Sequence, residues 1–358
     1  MGGVFMQQPG AIIQNEPLMS LHPWISGGQF TDVDAQAAHL HGYDQQYQQL
    51  SEGPFEGRYR SFNFEGDLGI HLEVANRALA QAASTPSGRL SVCLLTAVSD
   101  ACTLNAGHFG LSQVALCPEG LVLEGKTSEG VSLCCMDVAA ELLPAQGRGL
   151  KGVRILEDPL RSNQLRDLVR SGLSSLTSLH AIGHYPAAVK EFKSALGDLL
   201  WQIGIQQPQK ALKRANGHTS ERTMHIFRRA RDYIHDGLAD GISIVALCEA
   251  IGVSRRALEL VFRSVLGTGP GHYVRTLQLN EVRRDLLSNP DSDESIGAIA
   301  ARHGIWHWSR FSRDYKLMFG ELPSRTRRRC AAGVPARDSA APINDSSMQP
   351  STACASAP

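Results

Sequence analysis

Apolar positions change their period along this chain, and the changes mark out its parts. Between about residues 55 and 143 they alternate or form short runs. Tyr59–Phe64 and Gly69–Val74 alternate, while Leu90–Leu95 and Val131–Met136 are apolar stretches bounded by Gly, Pro or Asp. A period of two broken by turn residues predicts several short strands in a small β-barrel or sandwich, large enough to enclose one small ligand. From 159–182 and 186–203 the period becomes helical. Leu165, Leu168, Val169, Leu173 and Leu176 share one face, and Val189, Phe192, Leu196, Leu199, Leu200 and Ile203 share another. Such a helix pair can pack on its own barrel or on a second subunit. Upstream, residues 33–50 predict a polar helix carrying Tyr43 and Tyr47.

Two helix-turn-helix patterns follow, with turn glycines Gly252 and Gly304 52 residues apart. In the first, Leu247, Cys248, Ile251, Leu258, Val261, Phe262 and Val265 recur at helical spacing and close one small core. Gly252 stands where the chain must turn sharply, and Ser254 follows as an N-cap. With Leu258 and Phe262 inward, the opposite face presents Arg255, Arg256, Glu259 and Arg263. Arginines at the start of such a helix suit bidentate contacts to guanine in the major groove. In the second unit, Ile296, Ile299, Ala300, Ile305, Phe311 and Tyr315 make the equivalent core. Its turn is one residue longer. Ser309, Arg313 and Lys316 then share the exposed face, Ser312 lies beside them, and His307 and Trp308 stand at the helix start.

Several residues nearby have plainer readings. Trp306 and Trp308 fit packing at the turn better than base reading. Arg310 and Asp314 fit a surface ion pair. His303 and His307 lack partners at ligand spacing and read as solvated or phosphate-facing. Between the units, Pro270–Leu287 reads as one buried helix through Tyr273, Leu277, Leu279, Val282 and Leu286. At roughly 27 Å it compares with the roughly 34 Å between successive major-groove faces. A single chain can then place both helices in adjacent turns of duplex DNA and read an asymmetric site.

The resulting expectation is an α+β chain of two domains. Residues 1–30 form a loosely ordered lead-in, 31–203 a sensing and dimerisation domain, 204–221 a polar linker, 222–329 the double helix-turn-helix domain, and 330–358 a disordered tail. Charge agrees with that division. Residues 220–330 carry 18 Lys+Arg against 13 Asp+Glu, a balance of +5, and the remainder 17 against 22, a balance of −5. The run Arg325–Arg329 closes the basic domain and suits phosphate contacts. Eight cysteines without ligand spacing read as reduced thiols, the adjacent Cys134 and Cys135 as packing. Neither a membrane span nor a signal peptide is legible, which points to the cytoplasm. In the strand region His71, His108 and Glu119 stand isolated, so no metal set and no enzymatic barrel is expected.

Residues 222–329 resemble the DNA-binding domain of the AraC/XylS transcription regulators. Gly252–Leu258, Leu266–Pro270 with Tyr273, and Tyr315–Ser324 carry the resemblance. It implies that Arg256, Glu259 and Leu260 in the first unit and Ser309 and Arg313 in the second contact bases. Glu259 and Leu260 depart from the longer polar or basic residues usual there, and Gly269 replaces the usual Ser before Pro270. The resemblance further implies promoter DNA and RNA polymerase as partners, a homodimer formed through the helix pair, and an activator answering to a small-molecule effector. Gly304–Tyr315, Phe30–Val33 and Tyr47–Arg58 are similar to the branch that regulates ethanolamine utilisation. That similarity implies ethanolamine with adenosylcobalamin as effectors; no cofactor is otherwise required.

Overall fold

The computed structural model describes residues 24–40, 42–142, 152–180, 185–205 and 217–331. The expected lead-in up to residue 23, linker residues 206–216 and the tail from 332 lie outside them. Twelve strands among the described residues form two antiparallel sheets. One runs in the order β1 (Ile25–Phe30), β3 (Gly57–Phe64), β4 (Leu68–Ala75), β11 (Val131–Ala139), β6 (Arg89–Ala97), β9 (Gln113–Cys117), β12 (Arg154–Glu157). The other runs β2 (Gln45–Gln49), β5 (Leu79–Ser84), β10 (Val122–Thr127), β7 (Cys102–Leu104), β8 (Gly107–Phe109).

Register divides each strand between two cores. Ile70 lies opposite Met136 and Leu72 opposite Cys134. These side chains enter one cluster with Leu165, Val169 and Leu173 of α2 (Pro159–His180) and Val189, Phe192 and Leu196 of α3 (Tyr185–Ile205). The helix pair therefore packs on its own sheet. Cys93, Leu95 and Ala75 face the other way, against Tyr47, Leu79 and Leu123 of the second sheet. Strands covered on both faces lose polar alternation, which is why β6 and β11 read as continuous apolar runs. Cys134 and Cys135 accordingly face opposite cores.

The polar helix expected over 33–50 is not formed. A single turn, α1 (Val33–Ala37), is capped by the Asp32 carboxylate, and the chain then becomes edge strand β2. Pairing with β5, from Gln45 opposite Ala83 to Gln49 opposite Leu79, supplies the backbone hydrogen bonds. That partner is distant in sequence, so local pattern does not register it.

Seven helices complete the described chain: α4 (Gly217–Asp236), α5 (Ile244–Ile251), α6 (Arg255–Leu266), α7 (Pro270–Ser288), α8 (Ile296–Arg302), α9 (Trp308–Phe319) and α10 (Pro323–Ala331). Helix α4 begins within the expected 204–221 linker, and α10 runs two residues past the expected boundary. Phe227, Ile234, Leu247, Leu258 and Phe262 close one core with Tyr273 and Leu277 of α7. Leu279, Val282 and Leu286, further along α7, close the second with Ile299, Ile305, Phe311 and Tyr315. One helix thus serves both units, and a rigid rod fixes the separation of the two patterns.

Its third side meets the strand domain. Edge strand β2 lies along α7, and Asn280 binds the Gln49 backbone twice, accepting from N–H at 3.2 Å and donating to C=O at 3.0 Å. Gln48 donates to Thr276 Oγ1 at 2.8 Å and to the Tyr273 carbonyl at 3.3 Å. Arg284 reaches Asp34 and the Tyr47 carbonyl, and Arg283 pairs with Asp32 and Glu321 while covering the Phe319 ring. An exposed edge strand is a template for unwanted pairing; here a helix covers it.

Candidate nucleic-acid interface and sensor cavity

In the first unit, Ser243 caps α5 and Ser254 caps α6, each through its hydroxyl accepting a backbone N–H, and Gly252 makes the turn between them. Burial of Leu258, Val261, Phe262 and Val265 turns Arg255, Arg256, Leu260 and Arg263 to solvent. Arg255 and Arg256 make no hydrogen bond or ion pair among the described residues, so their guanidinium groups are available to a partner. Glu259 is half-buried and holds Arg263 at 3.0 Å, so these two candidates are engaged with each other.

In the second unit, the hydroxyl of Ser295 caps α8, while His307 occupies the N-cap of α9 without a side-chain bond. Gly304 takes φ +73°, and a Cβ there would meet the Leu238 carbonyl at 2.5 Å, so both conformation and space require glycine. Phe311, Tyr315, Met318 and Phe319 face inward, leaving Trp308, Ser309, Arg310, Arg313 and Lys316 outward and Ser312 between. The expected turn packing holds for one tryptophan only. Trp308 lies over Gly297, where a Cβ would come within 1.9 Å of its ring, and edges Phe311, yet stays 48% exposed. Trp306 is 64% exposed.

Other polar readings are revised. His303 is not simply solvated; it lies 2.7 Å from Asp285. Asp314 is 3.5 Å from Arg310 as expected, but its shorter partner is Arg275 of α7 at 2.7 Å. Burial raises the Asp314 carboxyl, and the hydrogen bond and charge of Arg275 outweigh it, so its pKa is lowered overall. Within the basic run, Arg327 donates to the Glu294 carbonyl and Arg329 pairs with Glu321. Those two hold α10 in place; Arg325 and Arg328 remain exposed.

Between the two sheets lies a narrow cavity. Tyr43, Tyr47, Tyr59, Cys93, Leu95, Phe109, Leu123 and Cys135 give it an apolar lining, with Glu73, His71, Gln81 and Thr127 as polar points. Glu73 accepts from Gln36 at 2.7 Å and Tyr47 at 2.9 Å, and burial raises its pKa. His71, isolated in sequence, bonds Asp137 at 2.5 Å and Tyr59 at 2.7 Å. The Thr127 hydroxyl is buried without a partner. The Cys135 thiol is pushed well up by its hydrogen bond with Cys93 and by burial, which keeps it protonated and unreactive.

Strand β10 joins this cavity to the first unit. Leu123 and Thr127 line the cavity, Glu124 faces away from it, and Lys126 borders both the cavity and the first unit. Glu124 is buried between Arg228 and Arg231 of α4. Lys126 lies against Gly267 at the end of α6, and neighbouring Thr103 donates to the Val265 carbonyl. At the second unit, Gln49 donates to the Met318 carbonyl at 2.8 Å and Gly53 N–H to the Leu317 carbonyl at 2.9 Å. The strand domain therefore holds the C-terminal ends of both outward-reading helices and leaves their starts open. Sequence reasoning missed this dock. In the sequence it shows only as Thr276, Asn280 and Arg283, polar residues at positions that fold into the interior.

Comparison with known proteins agrees with this geometry. Residues 247–329 match a family model described as a helix-turn-helix domain. Over 108 residues the chain is 36% identical to the XylDLEGF operon transcriptional activator of Pseudomonas putida, covering 30% of this chain and 34% of that protein. Over 99 residues it is 33% identical to the probable thc operon regulatory protein of Rhodococcus erythropolis, covering 28% and 30%. The chain thus spans about a third of the length of these curated relatives. Among solved structures, the AraC-like transcriptional activator CuxR is similar over 77% of this chain and 100% of its own, at 19% identity and a TM-score of 0.39. No helix among the described residues is long and apolar enough to cross a membrane. With two units on one shared helix and the matched segment reaching into both, the C-terminal domain is a double helix-turn-helix of the AraC type.

Proposed function

We propose that the whole protein is a sequence-specific activator of a metabolic operon, working as a cytoplasmic homodimer that engages RNA polymerase and answers to a small molecule held between its sheets. The observation that carries this reading is the double role of β10, whose residues both line the cavity and form the dock for α4 and α6. A ligand that prefers one position of this strand would favour one placement of the first reading helix; equal affinity for both would shift nothing. Ethanolamine, with four non-hydrogen atoms, is small enough for that cavity. With α2 and α3 buried on their own sheet, a dimer through them would use their outward sides, where Leu160 is exposed.

The test is a sequencing map of genomic fragments retained by the purified chain at stated, moderate salt, because phosphate contacts alone retain DNA when salt is low. Discrete asymmetric sites upstream of one operon are expected. Diffuse retention without a shared motif would instead identify an architectural DNA-binding protein of low specificity.

A further inference from the structure

Leu260 is an apolar side chain on a surface that otherwise carries charge. It is 60% exposed, one helical turn after Arg256 on α6, with Arg263 and Ser264 exposed just beyond it. The adjacent Glu259 is occupied by Arg263 at 3.0 Å, and its carboxylate lies against Gly269, where a Cβ would stand 2.7 Å from Oε1. The outward surface of the first reading helix thus carries the unpaired Arg255 and Arg256, then Leu260, with Arg263 and Ser264 beyond it.

The groove that would receive it narrows the partner. Base edges in the major groove present donors, acceptors and a single apolar feature, the C5-methyl of thymine. Leucine has neither donor nor acceptor, so burying it against any other edge would strip that edge of water without replacing the hydrogen bond. We propose that Leu260 reads a thymine methyl in the half-site taken by the first unit, beside a guanine held by Arg256. This rests on α6 being a base-reading helix. Four residues of helix advance about 6 Å, close to two base-pair steps of about 3.4 Å. The thymine therefore stands within about two base pairs of the guanine.

The experiment selects duplexes from a random pool with the full chain at fixed salt. In the enriched sequence each thymine is then replaced by deoxyuridine and each guanine by 7-deazaguanine, one at a time. One deoxyuridine is expected to weaken wild-type binding about fourfold, the worth of one buried methyl, and to leave Leu260→Ala unaffected. A 7-deazaguanine within two base pairs should weaken the wild type but not Arg256→Ala. Leu260 is outside both cores, so its variants fold; Leu260→Gln should move the preference from thymine toward adenine. An enriched sequence in which no methyl matters, or in which Leu260→Ala keeps the same methyl dependence, overturns the inference. Recovery of no enriched sequence overturns the specific-regulator reading itself, and this inference with it.

Discussion

Asn280 offers the most direct probe of whether the two domains act as one body. Its side chain is 2% exposed and makes three hydrogen bonds: from Gln49 N–H, to Gln49 C=O, and to the Thr276 carbonyl. Asn280→Ala removes all three and orphans both backbone groups of a buried edge-strand residue. A net hydrogen bond contributes about 1 kcal/mol, and an unsatisfied buried group costs about 1–3 kcal/mol. Allowing for partial rehydration of the space left behind, the expected loss is about 3 kcal/mol. In urea, with a slope of about 1–3 kcal/mol per molar, the midpoint should fall by about 1–3 M. Hydrogen exchange gives a local reading of the same event, since the Gln49 amide should lose protection. If the domains were separate in solution, Asn280 would lie on a solvated surface and its removal would be worth within about 0.5 kcal/mol. A midpoint shift that small, with unchanged exchange at residues 45–50, would refute the docked arrangement.

Further outcomes follow from neighbouring contacts. Glu124 is only 3% exposed, but Arg228 and Arg231 are 43% and 29% exposed. Glu124→Gln should therefore cost about 1–2 kcal/mol rather than the 3–5 of a fully buried pair, and thermal melts should show weaker salt dependence. Arg313→Ala should lower affinity for the preferred duplex by about 1–3 kcal/mol with little effect on unrelated sequences; equal weakening of all duplexes in a binding titration would contradict a base-reading role. Acid should destabilise the second unit first. Asp314 is lowered by Arg275 against an opposing burial effect, and Glu321 by Thr326, Arg283 and Arg329 against the same. A depressed carboxyl contributes stability that is fully present above its unfolded value near 4 and lost as pH falls through the folded one. Melting temperature should thus decline below about pH 5, and less steeply in Asp314→Asn.

The double helix-turn-helix domain was legible because its information is local. Turn glycines, the Ser254 cap, Pro270 and a 3.6-residue apolar period each act within a few residues, so α5 through α9 form where the pattern places them. The strands over 55–143 and the helix pair were legible as types, by the same logic. What sequence alone left undecided depends on partners distant in the chain. Residues 45–49 became strand because β5 offers an edge, against a local pattern that reads as helix. Which side α2 and α3 cover was open until the outer face of the first sheet met them. Trp306 and Trp308, alike in sequence, differ in fate: Trp308 packs over Gly297, and Trp306 stays in solvent. The cavity and the dock are the clearest cases: strand alternation requires that β10 have two faces, but only folding determines that one meets an enclosed space and the other meets α4 and α6. Packing brings together residues more than a hundred positions apart, and no periodicity along the chain encodes that distance.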